Sequence, residues 1–184
     1  MEKIEKALKE NLRESERVLW QGSTEPFRPL SGREARRTLI SWALSILFLG
    51  VPLILLLLRG DQRYGLQIAI AVLMALPFIL PFRNHRLLLA QRYYITSERA
   101  LLIRSSGEVF SMELPVHAAL YHPEKQGATI ALGEALLPEG DKQLRWRSLH
   151  PKEDTRSGEE NAVNGLVFYQ PEKAEEAYRL LQKK

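Results

Sequence analysis

Side chains that could move a proton, attack carbon or hold a metal are sparse in this sequence, and those present lack useful spacing. The four histidines, His85, His117, His122 and His150, are scattered, and none has a histidine or carboxylate at a helical metal-binding interval such as H-E-x-x-H. His122-Pro123-Glu124 is the nearest approach to a metal pair. The absence of cysteine excludes a disulfide scaffold, a thiolate zinc site, an iron–sulfur cluster and a cysteine nucleophile. Ser105-Ser106-Gly107 lacks the G-x-S-x-G pattern of a nucleophile elbow. No G-x-G-x-x-G or G-x-x-x-x-G-K-[ST] run is present to cradle phosphate. Glu159/Glu160 and Glu175/Glu176 read as solvated charge in a loop and on a helix. The expectation is therefore a non-enzyme, with no catalytic, metal or cofactor residue assigned.

What remains is a set of arginines. Arg99, Arg104, Arg145 and Arg147 are candidates to face a lipid phosphate or a partner carboxylate, although Glu98 beside Arg99 opposes a purely anionic ligand. The net charge of +4 is unevenly placed. Residues 1–83 hold 12 Lys/Arg against 8 Asp/Glu, while residues 84–184 hold 14 of each. The whole excess thus lies beside an apolar block, and a neutral C-terminal half gives no basic face for nucleic acid.

That block accounts for the chain's architecture. Residues 38–58 run without a charge for 21 residues, which as a helix covers about 31 Å, the thickness of a bilayer core. Residues 66–82 form a second apolar run, and the short polar turn of residues 59–65 makes the pair an antiparallel transmembrane hairpin. Arg28, Arg33, Arg36 and Arg37 precede the first span, and Arg83, Arg86, Arg92 and Arg99 follow the second, whereas the turn carries only Arg59 and Arg63 with Asp61 between them. Positive residues stay on the cytoplasmic side during insertion, so both termini are expected there. Trp42, Tyr64 and Phe82 suit the interface near the span ends. Pro52, Pro77 and Pro81 should kink the spans, with neighbouring groups satisfying the freed carbonyls. No ionisable side chain lies within either span, so the hairpin reads as an anchor rather than a transport path. Ser41/Ser45 and Ala71/Ala75, each four apart, are small residues that let helices approach, within the hairpin or between copies in a homo-oligomer.

The flanking regions are polar. In residues 1–37, Ile4, Leu8 and Leu12 recur at spacing four among mixed charges, which predicts an amphipathic helix of about three turns docked on the C-terminal domain or on another subunit. Val18, Leu19 and Trp20 then form a short extended or interfacial piece. Residues 84–184 read as a separate domain. Its candidate strands are residues 92–96, 100–105, 108–114, 119–122, 128–132, 143–149 and 165–169. Ser106-Gly107 supplies the tight turn that pairs the second and third antiparallel. In residues 143–149, Leu144 and Trp146 alternate with Arg145 and Arg147, as on a half-buried strand. Pro171 suits the first turn of a final helix whose stripe is Ala174, Ala177, Tyr178 and Leu181. The tally is α+β: seven strands in a bent sheet or partly open barrel, capped by a C-terminal helix.

Two segments carry a family resemblance. Tyr93-Tyr94-Ile95-Thr96-Ser97-Glu98-Arg99-Ala100-Leu101 resembles the Y-x-[aliphatic]-T-x-x-R signature of bacterial pleckstrin-homology-like (PH-like) domains in small membrane proteins. Those proteins typically place an E-x-[aliphatic]-aromatic-x-G segment before two transmembrane helices, with the signature and a last helix after them. Glu16-Arg17-Val18-Leu19-Trp20-Gln21-Gly22 stands in the first position here. Two long polar connections, residues 134–142 and 151–164, depart from the pattern.

Of the motif residues, Tyr93 and Ile95 share a strand face and belong to a core, Thr96 can bond the backbone of the following turn, and Arg99 can brace the returning strand. The resemblance implies a protein integral to the cytoplasmic (inner) membrane, with a PH-like module that binds a protein of unknown identity or organises an assembly there. Recognition of anionic lipid head groups is the alternative, and service as an accessory subunit of a membrane enzyme or transporter is the second.

Overall fold

A computed structural model describes residues 2–26, 32–59, 64–122, 127–136, 140–154 and 161–183, the side chains of residues 32–34, 37 and 141 aside. Most of the 59–65 turn, Arg28, Pro123, Glu124 and the middle of both long connections lie outside them. The chain divides into two compact units, Arg28–His85 and a second built from Met1–Phe27 together with Arg86–Lys184. The N-terminal segment, expected as a region of its own, therefore belongs with the C-terminal domain.

In the first unit, α2 (Gly32–Ser45), a π-helical turn (Ile46–Gly50) and α3 (Val51–Leu58) follow one another. Within this run, Thr38–Leu58 is long and apolar enough to cross a membrane, as is α4 (Tyr64–Leu89). Their outward residues, Phe48, Ile54, Leu58 and Ile68 among them, are exposed, which separates them from the core helix of a soluble protein. The prolines shape both. Pro52 has no N–H for the carbonyl four residues back, and the wider turn ends just before it, with the Val51 N–H donating to Ile46 O. Pro81 likewise leaves Pro77 O without its helical donor, and the Trp42 indole N–H supplies one at 2.8 Å. Trp42 also stacks on Phe78 and Phe82, at ring distances of 5.0 and 6.3 Å. Its polar atom is thus committed inside the helix pair. The close approach uses Ser45, whose Oγ donates to Met74 O at 3.3 Å, and Gly50, where an added Cβ would press on Met74. Ser41 is exposed, contrary to its expected packing role, and Ala71 and Ala75 are half-buried.

The second unit has two antiparallel four-stranded sheets that do not close into a barrel. β1 (Val18–Ser23), β2 (Arg92–Thr96), β3 (Arg99–Ile103) and β4 (Val109–Glu113) lie in that order. Gly107, at φ +97°, makes the tight turn into β4. β5 (Ala118–Tyr121), β6 (Thr129–Gly133), β7 (Lys152–Glu153) and β8 (Val163–Phe168) form the second sheet, in the order β5-β6-β8-β7. Single bridges join the sheets at Thr24 with Pro171 and at Ser111 with Ala162.

Between them the main core gathers Trp20, Tyr93, Ile95, Leu102, Phe110, Ile130, Leu132, Leu166 and Phe168, closed by Ala174, Ala177 and Leu181 of α6 (Ala174–Gln182). Both outer faces are covered as well. α1 (Glu2–Asn11) sets Ile4 and Ala7 on Tyr94, Leu101, Ile103 and Val109, and α5 (Asp141–Leu149) sets Leu144 and Leu149 on Ala131, Val167 and Tyr169. Strands buried on two faces read as continuous apolar runs such as Ala100–Ile103.

Three expectations need correction. Residues 143–149 are helical, because Leu144, Ser148 and Leu149 share a buried helical face while Trp146 points away, 59% exposed. The alternation is a strand pattern, overridden here by the packing of Leu144 and Leu149 on Ala131, Val167 and Tyr169. The extended piece at Val18–Trp20 is a full strand, and Leu19 is its bulged residue. Pro171 lies in the Thr24 bridge instead of the helix, which starts after Lys173 in a left-handed conformation.

Candidate functional site

The two segments that carry the resemblance, 80 residues apart in the chain, meet in one buried cluster. β1 pairs with β2 so that Val18 lies opposite Thr96 and Ser23 opposite Arg92, which brings Glu16 under the β2–β3 turn. Arg99 grips its carboxylate with both ends of the guanidinium, Nε to Oε1 at 3.2 Å and Nη2 to Oε2 at 2.6 Å. Thr96 Oγ1 donates to Oε1 at 2.6 Å and accepts the Arg99 backbone N–H at 2.8 Å. The Arg13 backbone N–H donates to Oε2 at 3.0 Å, and Arg99 Nη2 also reaches Asn11 O at 2.8 Å. The Arg99 and Glu16 side chains are only 9% and 0% exposed.

Burial pushes the Glu16 pKa upward, but the hydrogen bonds from Arg99, Thr96 and Arg13 and the Arg99 charge outweigh it, holding the carboxyl below its ordinary range. A paired, fully bonded buried charge is a positioning device for backbone. It locks the segment before β1 onto the turn after β2. Arg99 was expected among the residues facing a ligand; its burial against Glu16 leaves no such face. The aromatic and the glycine of the first segment act together too: an added Cβ at Gly22 would collide with the Trp20 indole, which lies across it and stacks on Phe168.

A second buried polar cluster sits where the chain leaves and re-enters this unit. Thr24 Oγ1 donates to Leu88 O at 2.9 Å and lies 2.8 Å from Tyr93 Oη. Tyr93 Oη donates to Gln91 Oε1 at 3.1 Å and accepts the Tyr169 backbone N–H at 3.2 Å. Gln91 and Ser148 exchange two further bonds, at 2.9 Å each. Burial raises the Tyr93 pKa, so the phenol stays protonated at neutral pH. Thr24 follows β1 and Leu88 precedes β2, so this cluster clamps the two ends of the long excursion, while Ser148 ties α5 to the same point. Neither Thr24 nor Gln91 was singled out in the sequence, where no local pattern marks them; they become partners only through the β1–β2 pairing.

The other candidate arginines serve the unit's own structure. Arg104 pairs with Glu108 at 2.7 Å, donates to Leu149 O and lies 4.6 Å from the Phe110 ring centroid. Arg145 Nε donates to Tyr169 Oη at 2.7 Å. Arg147 Nη1 donates to Glu134 O at 2.9 Å. Only Arg145 and Arg147 share an element, α5, which also carries Lys142.

Two hollows lie among the described residues. An open groove of about 730 Å3 runs beside α6, lined by Glu25, His122, Ala128, Lys173, Arg179 and Leu180 among others. Its mixed charges, including Lys173 with Glu176 and Arg179 with Glu175 at 3.9 and 3.8 Å, favour no single ligand sign. A smaller one, about 300 Å3, separates α1 from the edge of β1. Among the described residues no three of His, Cys, Asp and Glu converge as metal ligands. No protein-family model, curated protein or solved structure matches the chain.

Proposed function

We propose that this chain is a non-enzymatic, membrane-anchored PH-like module, which holds a cytoplasmic domain at the inner membrane for interaction with another protein or for assembly. The observation that carries the reading is the splice point. The two apolar helices are inserted between β1 and β2, neighbours that pair with Ser23 opposite Arg92. Both connections to the helix pair thus leave the same end of one sheet, as a two-pass anchor with both flanks on one side requires. Four leading strands, a second sheet and a closing α6 agree with the PH-like pattern, with α5 and β7 as additions. Anchoring raises the effective concentration of a weak partner at the membrane. The groove beside α6, open and lined by apolar residues with charges of both signs, suits a peptide segment of mixed character.

Cross-linking of the full chain in native membranes, followed by mass spectrometry, tests this against a control truncated after Arg83. The reading expects a partner cross-linked through the domain, on the α6 side, and lost with the truncation. Partners retained by the truncated chain would instead assign the interaction to residues 1–83, the helices with α1 and β1.

A further inference from the structure

The inference concerns α5, the helix that replaces an expected strand. Its inward side chains, Leu144, Ser148 and Leu149, are buried. Opposite Leu144 and Ser148 stands Trp146, the one exposed tryptophan, its ring 4.0 Å from that of His150. On the helix three cations, Lys142, Arg145 and Arg147, stand against one acid, Asp141. Beyond it Lys152 is followed by Glu153 and Asp154, so the positive character belongs to the helix itself. An exposed indole with Lys142 four residues before it and Arg147 next to it has the residue types of a membrane interface, apolar body toward acyl chains and cations toward phosphates. Arg145 is turned inward, its guanidinium on Tyr169. Arg147 bonds Glu134 O through Nη1, and a long basic side chain can keep such a bond through one nitrogen while another reaches a phosphate.

Position agrees with composition. α5 packs on Leu88 and bonds Gln91, and Leu88 follows Phe82, the last apolar residue of the second run, by six residues. Even fully extended, that stretch spans only about 20 Å. If the helices cross a membrane, the chain alone holds α5 near the lipid head groups. We infer that α5 docks on the surface of the bilayer in which the protein is anchored, with Trp146 at the head-group level and Lys142 and Arg147 toward anionic lipid phosphates. This rests on the membrane-anchored reading and adds to it an orientation, since a second attachment stops the domain from turning on its tether.

Brominated lipid, which quenches nearby tryptophan, provides the test. The full chain is reconstituted in vesicles of phosphatidylcholine alone, and of two parts phosphatidylcholine to one part phosphatidylglycerol, each with brominated acyl chains. The emission of Trp146 and of Trp42 is obtained by difference from Trp146→Phe and Trp42→Phe, with buried Trp20 common to all. Trp42 reports insertion and should be quenched in both mixtures. Trp146 should be quenched in the anionic mixture. Combined Lys142→Glu and Arg147→Glu should lower its docked-to-free ratio roughly tenfold or more, the order expected for two basic groups at an anionic surface. Arg179→Glu on α6 should leave it unchanged.

Quenched Trp42 with Trp146 unquenched and open to iodide would overturn the docking alone. Trp146 shielded from iodide yet unquenched would also overturn it, in favour of a protein covering α5. Equal quenching of Trp146 in both mixtures would overturn the anionic assignment. Unquenched Trp42 would overturn the anchored reading itself.

Discussion

At the scale of single residues, Glu16 and Arg99 are the pair on which the domain's closure most depends. Removing one member of a buried, bonded ion pair strands the other charge. Arg99→Leu should therefore cost about 3–5 kcal/mol, read as a fall in the denaturant midpoint of the detergent-solubilised full chain. Glu16→Gln keeps the shape and should cost less, about 1–3 kcal/mol at neutral pH. The pH dependence separates charge from shape. The Glu16 carboxyl titrates below its ordinary 4.5 in the folded chain, so its stabilisation is complete above that value and is lost as pH falls through the folded pKa. Acid titration of stability should show this loss in the parent chain and not in Glu16→Gln; superimposable curves would contradict the pairing. That Tyr93 and Ile95 share a strand face, and that Thr96 can bond the following turn, was legible from residue type and alternation, and both are seen in the fold. The partner of Arg99 was not legible, since 80 residues and two apolar helices separate Glu16 from Thr96 in the sequence.

At the scale of elements, what misled the reading is informative. A two-residue alternation in Leu144-Arg145-Trp146-Arg147 fits a strand, but Leu144, Ser148 and Leu149 also lie on one side of a helix, and burial selects that arrangement. The helical account separates two apolar residues that a strand would bury together. Leu144→Ala should cost about 2–4 kcal/mol, whereas Trp146→Ala in detergent should change stability by about 0.5 kcal/mol or less. Equivalent losses in thermal unfolding would argue for the strand.

In the apolar helices, long uncharged runs were read directly, and so was the need to satisfy carbonyls freed by proline. Which group does so could not be read, because Trp42 meets Pro77 O only once α2 and α4 pack. Trp42→Phe keeps the stacking on Phe78 and leaves that carbonyl without its donor. It should weaken the helix pair by about 1 kcal/mol, measured as a shift in its unfolding by mixed detergent.

At the scale of the whole molecule, order along the chain and order in space differ in one decisive way. The chain runs helix, strand, apolar pair, then domain, which reads as three successive regions. In space α1 and β1 belong with the later strands, because Trp20 completes the core and Ile4 covers the outer face of β3. Short apolar runs bounded by turn residues made most strands of that domain visible, while β1 was masked by its bulge and its distance from β2, and β7 by its two-residue length. The central claim is that the pair of apolar helices anchors this domain across a membrane with both of its chain connections on one side.

The absence of native cysteine makes the direct measurement clean. Single-cysteine variants Lys9→Cys, Tyr64→Cys and Arg179→Cys in intact cells are treated with a membrane-impermeant maleimide before and after permeabilisation. The account predicts that Tyr64→Cys reacts from outside, while Lys9→Cys and Arg179→Cys react only after permeabilisation. Labelling of positions 9 and 179 on opposite sides, or of position 64 on the same side as both, would contradict it.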